Sequence, residues 1–338
     1  MSRAVVSKAI GAIAWIFAPA QTYGVKHAPQ RVSVQRGFTL VELVMVIALS
    51  GMVLVMISTV LARPLQGFVD QSRRAVLVDQ AAGVLQRMAR DVRLAVPNSL
   101  RVSADGKALE LLLIHSAARY RPNRIGGEGL RFSSETAGTC GSITEGERCD
   151  SLQVLDPTFD PTDEGWMVLY NIGAESGGTP VKGSNVWADA APDGSHVITP
   201  GTFSFSRETI VGVAPLSNET LLKVTLPNNI DNFRFAYASP THRLYMAETV
   251  VGYRCKGGEL LRYSYNQLLS PIPSTPPVGS NPQPLAVNVD CSATHFTYQT
   301  GSTQRAGLLA ITLRISQDGG VGGEGLQLLQ QVHVDNAP

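Results

Sequence analysis

The 338-residue sequence predicts an α+β fold: one long N-terminal helix, apolar in its first half and amphipathic in its second, packed on an antiparallel β-sheet head with long loops. Three observations carry this expectation. Phe38–Leu61 is an almost unbroken apolar run of 24 residues. A helical apolar periodicity follows it as far as Pro97. From Ser99 onward, alternating strand-like patterns take over, separated by stretches rich in the chain's 32 Gly and 20 Pro.

The charge pattern divides the chain before any motif is considered. Charged residues make up 16% of it, below the quarter or so usual in globular proteins. With 28 Lys+Arg against 27 Asp+Glu the formal balance is +1, which argues against a broad nucleic-acid-binding surface. That average conceals an asymmetry. Residues 1–36 carry Arg3, Lys8, Lys26, Arg31 and Arg36 and no acid. Without residues 1–37 the balance becomes 23 against 27, a net −4.

As a helix, Phe38–Leu61 would span about 36 Å, enough for a bilayer core of about 30 Å. The five upstream basic residues would hold its N-terminal side in the cytoplasm and send the remainder across. Glu42 is the feature that a plain signal anchor does not explain. A carboxylate one turn into hydrocarbon is costly and marks a functional position with a partner. The apolar segment itself holds no cation. If the backbone were cut before Phe38, a new α-amino group would stand four residues ahead of Glu42, one helical turn away. The same amine in a neighbouring copy could reach the same carboxylate. The pattern predicts processing followed by assembly.

Arg36-Gly37-Phe38-Thr39-Leu40-Val41-Glu42-Leu43 resembles the type III signal of type IV pilins and secretion pseudopilins. The resemblance implies a prepilin peptidase that cuts between Gly37 and Phe38 on the cytoplasmic face and methylates the new N-terminal Phe38. It implies that Glu42 pairs with a neighbour's N-terminus, that the partners are the peptidase, the inner membrane and then other major and minor pilins, and that the head ends in a filament. It implies a type IV pilin-like fold, no cofactor and no enzymatic activity. Residues 1–36 are longer than a usual pilin leader. They also contain an apolar run, Ala9–Phe17, ahead of Ala18-Pro19-Ala20 in the style of a signal-peptidase site. The two processing readings exclude each other, and the pilin site is preferred. Translation starting at Val25, Val32 or Val34 would reconcile the leader length.

Beyond the membrane segment, Val78, Leu85 and Val92 recur every seven residues, as do Ala81, Met88 and Ala95. They predict one apolar seam, with Asp79, Gln86, Arg87, Arg90 and Arg93 elsewhere on the wheel. Under three heptads is short for a free coiled coil, so the seam is expected to pack on the chain's own sheet. Pro64 is expected to kink or break the helix and Pro97 to end it. Expected strands are 109–115, 166–171, 202–206, 221–226, 233–237, 244–254, 260–265, 308–316 and 326–334. Lys256-Gly257-Gly258-Glu259 reads as a hairpin turn. Residues 173–201 read as a long irregular insertion, and the Pro-rich 271–284 as an extended surface loop.

Four cysteines are present, Cys140, Cys149, Cys255 and Cys291, with no CxxC. Topology places them outside the cytoplasm, where disulfides persist. Nearest-neighbour pairing is preferred, although three connectivities remain open. Gly320-Val321-Gly322-Gly323-Glu324-Gly325 matches G-x-G-x-x-G, but a strand pattern follows it where a dinucleotide site needs a helix. It reads as a hairpin loop. Asp156, Asp160, Asp163 and Glu164 cluster as calcium ligands would, without EF-hand spacing, so they are weak metal candidates. The six histidines show no metal-like spacing, and no catalytic constellation is evident.

The resemblance extends further. Arg73-Arg74-Ala75, Leu85–Arg93 and Val96-Pro97-Asn98-Ser99 are similar to larger minor pilins of the J-like group. Leu328–Pro338 is similar to the end of a minor pilin of the mannose-sensitive haemagglutinin (MSHA) type IV pilus. The expected organisation is a leader (1–37), a transmembrane and filament-core helix (38–61), an amphipathic helix (62–97) and a β-rich periplasmic head (98–338).

Overall fold

A computed structural model describes residues 37–121, 130, 132–133, 151–161, 165–210, 219–225, 233–301, 306–316 and 325–334. The chain separates into two compact units, residues 1–65 and 66–338. One α-helix, α1 (Leu40–Arg93), contributes to both. Its backbone stays helical through Pro64, so the expected break is absent. Proline removes a single amide donor, and the turns on either side retain theirs.

In the first unit, Leu40–Ser58 has a mean hydropathy of 2.7 and none of it is buried, so one helix is long and apolar enough to cross a membrane. In the second unit, α1 buries Ala81, Val84, Leu85, Met88, Ala89 and Val92. Their spacing of three and four residues is the stripe of a straight helix packed on a core. One member of the expected heptad seam departs from it, and another keeps its place in the core from beyond the helix. Val78 is 42% exposed, because the stripe of the straight helix that meets the core passes through Leu77 and Ala81 beside it. Ala95 lies past the helix end and bridges Leu113 in a strand-like pairing. The helix therefore stops at Arg93, four residues before Pro97: the Val96 amide donates to the Leu112 carbonyl at 2.8 Å and the Ile114 amide to that of Leu94 at 2.8 Å.

The described residues of the head form sixteen strands. The first six are β1 (Arg101–Val102), β2 (Ala108–Arg119), β3 (Ser151–Val154), β4 (Trp166–Val168), β5 (Glu175–Ser176) and β6 (Thr179–Pro180). The next five are β7 (Ser195–His196), β8 (Ser204–Ile210), β9 (Glu219–Thr225), β10 (Arg234–Phe235) and β11 (Arg243–Lys256). The last five are β12 (Glu259–Tyr265), β13 (Gln283–Val287), β14 (His295–Gln299), β15 (Gly307–Ser316) and β16 (Gly325–Val334). The central sheet runs β1-β2-β11-β12-β13, with β4 also pairing β11. Three-stranded sheets β14-β15-β16 and β3-β9-β8 accompany it, and every strand pair is antiparallel except the short β7–β10. The β11–β12 hairpin closes at Gly257 and Gly258, with φ of 63° and 84°. Positive φ at both central residues is what a type I′ turn demands, and glycine meets it without steric cost.

One loop expectation needs correcting. Gln283 and Pro284, assigned to the Pro-rich loop, belong to β13, where an outer strand tolerates a residue without an amide donor. The insertion at 173–201, expected to be irregular, holds among its residues only the short strands β5, β6 and β7. Its Val186, Trp187, Val197 and Ile198 are buried in one apolar cluster with Trp166, Val168 and Tyr245. A second cluster joins α1 to β2, β11, β12 and the β14–β16 sheet. A third is built around Phe132, Phe203, Phe205, Phe233 and Phe235.

Candidate processing and assembly site

Thr39 sets where α1 begins. Its Oγ1 accepts the Glu42 backbone amide at 3.3 Å, and its carbonyl accepts the Leu43 amide at 3.2 Å. Thr39 is thus the N-cap, and Thr39-x-x-Glu42 has the spacing of a capping box. Gly37 and Phe38 precede the cap in non-helical backbone. Phe38 is 79% exposed, and the space around Gly37 is open to 4 Å. The Gly37–Phe38 peptide bond is therefore exposed and outside the helix.

Hydrolysis there would give Gly37 a carboxylate and Phe38 an α-ammonium group. That cation would stand beside the positive end of the helix, an unfavourable place for it. Glu42, in the first turn, supplies the opposite charge nearby. Because Phe38 is not helical, the amine does not stack one helical turn above Glu42, as a helix continued back to Phe38 would require.

The head contains two buried polar clusters that single-residue patterns do not reveal. The side chains of Tyr253 and Arg262, cross-strand partners on β11 and β12, both reach Asp91 of α1. The Tyr253 hydroxyl donates to Asp91 Oδ2 at 2.5 Å and Arg262 Nε donates to it at 2.9 Å. On the opposite face, Glu110, Gly252 and Tyr263 align across β2, β11 and β12. A Cβ on Gly252 would lie 2.2 Å from the Tyr263 ring, so only glycine lets that ring cross β11. Its hydroxyl then donates to Glu110 Oε1 at 2.9 Å, while Arg101 donates to Oε2 at 2.6 Å. The Arg101 guanidinium stacks 3.7 Å from the Trp187 ring centroid, and the Trp187 indole donates to the Ser99 carbonyl at 2.8 Å. Burial, then the neighbouring carboxylate, pushes both tyrosine hydroxyls above the usual phenol range, so each remains a proton donor. Arg101 and Arg254 also donate to the Leu269 and Pro273 carbonyls, tying the Pro-rich stretch to the sheet.

Cys255 and Cys291 form a disulfide with Cα atoms 5.5 Å apart, closing a loop across 36 positions that contains the Pro-rich stretch. Cys140 and Cys149 lie outside the described residues. So do Asp163 and Glu164 of the weak calcium set. Asp156 is described and is occupied by a turn: the Thr158 amide and hydroxyl donate to its Oδ1 at 2.8 and 2.7 Å. The Thr158 hydroxyl, then its amide, holds that carboxyl below its usual range. Among the described residues, no three His, Cys, Asp or Glu side chains gather as a metal site, Asp160 included. Of the glycine-rich run only Gly325 is described; it opens β16, which pairs antiparallel with β15.

Asp91 was legible only as one more polar position on α1. The signal that finds it is its place one turn after Arg87 and directly before the seam residue Val92. Glu110, inside an otherwise apolar strand pattern, carried a clearer sign of a buried partner.

No curated protein and no solved structure matches the chain. Residues 32–58 match a family model described as the prokaryotic N-terminal methylation motif. That match covers Gly37, Phe38, Thr39 and Glu42 together with most of the exposed apolar helix, so the cap, the accessible bond and the first-turn carboxylate belong to one prepilin-type N-terminal segment.

Proposed function

We propose that this protein is a minor pilin of an MSHA-like type IV pilus. Prepilin peptidase removes residues 1–37 and methylates Phe38. The apolar helix holds the protein in the inner membrane with its β-rich head in the periplasm, and then moves into the filament core. Glu42 neutralises the Phe38 amine of an adjacent subunit, and the bulky head restricts the protein to the tip or its vicinity, where it helps start assembly and so adhesion. The organisation is that expected above: leader 1–37, core helix 38–61, amphipathic helix 62–97 and head 98–338.

The observation that carries this reading is the placement of the Gly37–Phe38 bond outside α1, directly ahead of the Thr39 cap, with Glu42 in the first turn of an exposed apolar helix. The non-helical Phe38 favours pairing of Glu42 with a neighbour's amine over pairing within one chain. Co-expression with the peptidase followed by intact mass measurement tests the cleavage: the product should begin at Phe38 with one added methyl group. Glu42→Ala should still be cleaved but should be missing from sheared filaments. Normal incorporation of that variant would contradict the pairing.

The likeness of residues 73–99 to the J-like group favours a second reading, a minor pseudopilin of a type II secretion system. The physics of processing and assembly is then the same and the machine differs. Neighbouring genes distinguish them: a pilus ATPase and major pilin, or an outer-membrane secretion set. A signal-anchored periplasmic enzyme would predict turnover by the fragment from residue 63 onward.

A further inference from the structure

Beside α1 the head carries an open cleft of about 400 Å³, remote in sequence from the processing site. Arg87 forms one wall from α1; Arg262 and Ser264 line it from β12; Asn281, Gln283 and Pro284 line it where the Pro-rich stretch becomes β13. Its polar groups are mainly donors. Arg262 is already oriented, since Asp91 takes its Nε at 2.9 Å and the Tyr253 hydroxyl shares that carboxylate from beneath. Arg87 is exposed and has no ion-pair partner among the described residues. Gln283 donates its amide to Asn281 Oδ1 at 3.1 Å, with Asn281 held at a φ of 44°.

We infer that this cleft receives an acidic side chain presented on an extended polypeptide from another protein. Two guanidinium groups lining one cleft, only one of them paired with a carboxylate among the described residues, match the charge of an incoming carboxylate. The Asn281 and Gln283 amides can exchange hydrogen bonds with a peptide backbone, and Pro284 and Leu285 provide apolar contact beside them. Sites for small molecules enclose most of their ligand, whereas this cleft is partly open to solvent, so the chain that carries the acid can lie outside it.

The test uses the full chain in detergent micelles, titrated with acetyl-triglutamate amide and, separately, with glutarate. The peptide should bind and glutarate should bind much more weakly. Arg87→Glu should lose roughly tenfold or more in peptide affinity with an unchanged melting temperature, as removal of a central arginine contact does. Arg87→Lys should lose less, because it retains the charge without the planar fork. Arg93→Glu, an exposed change on the same helix outside the cleft, should bind as the parent does. Absence of peptide binding would overturn the proposal. So would equal loss in the Arg93 variant, which would mean diffuse attraction, or glutarate binding as tightly as the peptide, which would mean a small-acid site.

Discussion

Residues 40–58 and residues 81–93 belong to one helix, yet they use their apolar side chains in opposite ways. The first segment is apolar on every face and uncovered: Val44, Ile47, Leu49 and Leu54 all stay exposed. The second confines its apolar residues to one stripe, which is buried under the sheet, and turns Gln86, Arg87, Arg90 and Arg93 outward. A helix apolar all round requires a surrounding that is itself apolar, whether lipid or other helices, while an amphipathic one is satisfied by its own sheet. Polar exceptions follow the same division. Asp91 finds its partners inside the molecule, whereas Glu42 stands at the exposed start of the apolar helix.

Changes in the second segment and its contacts should therefore alter head stability, and changes in the first should not. The largest effect is expected from Met88→Ala, which empties a fully buried position and should cost about 3–4 kcal/mol in denaturant unfolding of the head. Cys255→Ser opens the disulfide loop and should cost a comparable amount, about 3–4 kcal/mol by the same measurement, given the 36-position separation. Asp91→Ala leaves the Tyr253 hydroxyl and Arg262 without their shared acceptor, which should cost about 2–3 kcal/mol once the partial exposure of Arg262 is allowed for. A loss under about 0.5 kcal/mol would mean that water replaces the carboxylate.

A smaller effect separates the 173–201 insertion from the rest. Burial holds the His196 imidazole below its ordinary pKa of 6.5. Its Nε2 faces the Ala188 carbonyl at 2.9 Å and its Nδ1 accepts the Val197 amide at 2.8 Å, an arrangement that requires the neutral ring. As pH falls, the unfolded chain takes up this proton before the folded one does. Stability is therefore complete above about pH 6.5 and declines below it, and His196→Gln should flatten the dependence between about pH 7.5 and pH 5. The smallest effect on the head belongs to Glu42→Ala. It should leave the head's unfolding unchanged while removing the protein from filaments, and a destabilised head would show the two segments to be coupled.

The apolar helix, the strand cores at 109–115, 244–254 and 308–316 and the Gly257-Gly258 turn were legible in the sequence because local periodicity and turn chemistry specify them. Val78 was misplaced because a heptad count drifts from the 3.6-residue period of a straight helix. Pro284 hid the start of β13, because proline reads as loop unless the strand is known to lie at an edge. Asp91 was visible only as one more polar position on α1, and Glu110 as a polar residue in an apolar strand pattern. Their tyrosine partners were not, since these lie 162 and 153 positions away along the chain.

By itself the sequence determined the apolar segment, the charge asymmetry about Gly37, and the spacing from Phe38 to Glu42. Each depends only on neighbours along the chain. Tertiary structure decided the rest: that Asp91 ties α1 to the sheet, and that Gly252 makes room for Tyr263 to reach Glu110. The reason is physical. Local patterns specify which elements form, but burying a charge or an aromatic ring depends on which distant residues arrive beside it, and strand register sets that.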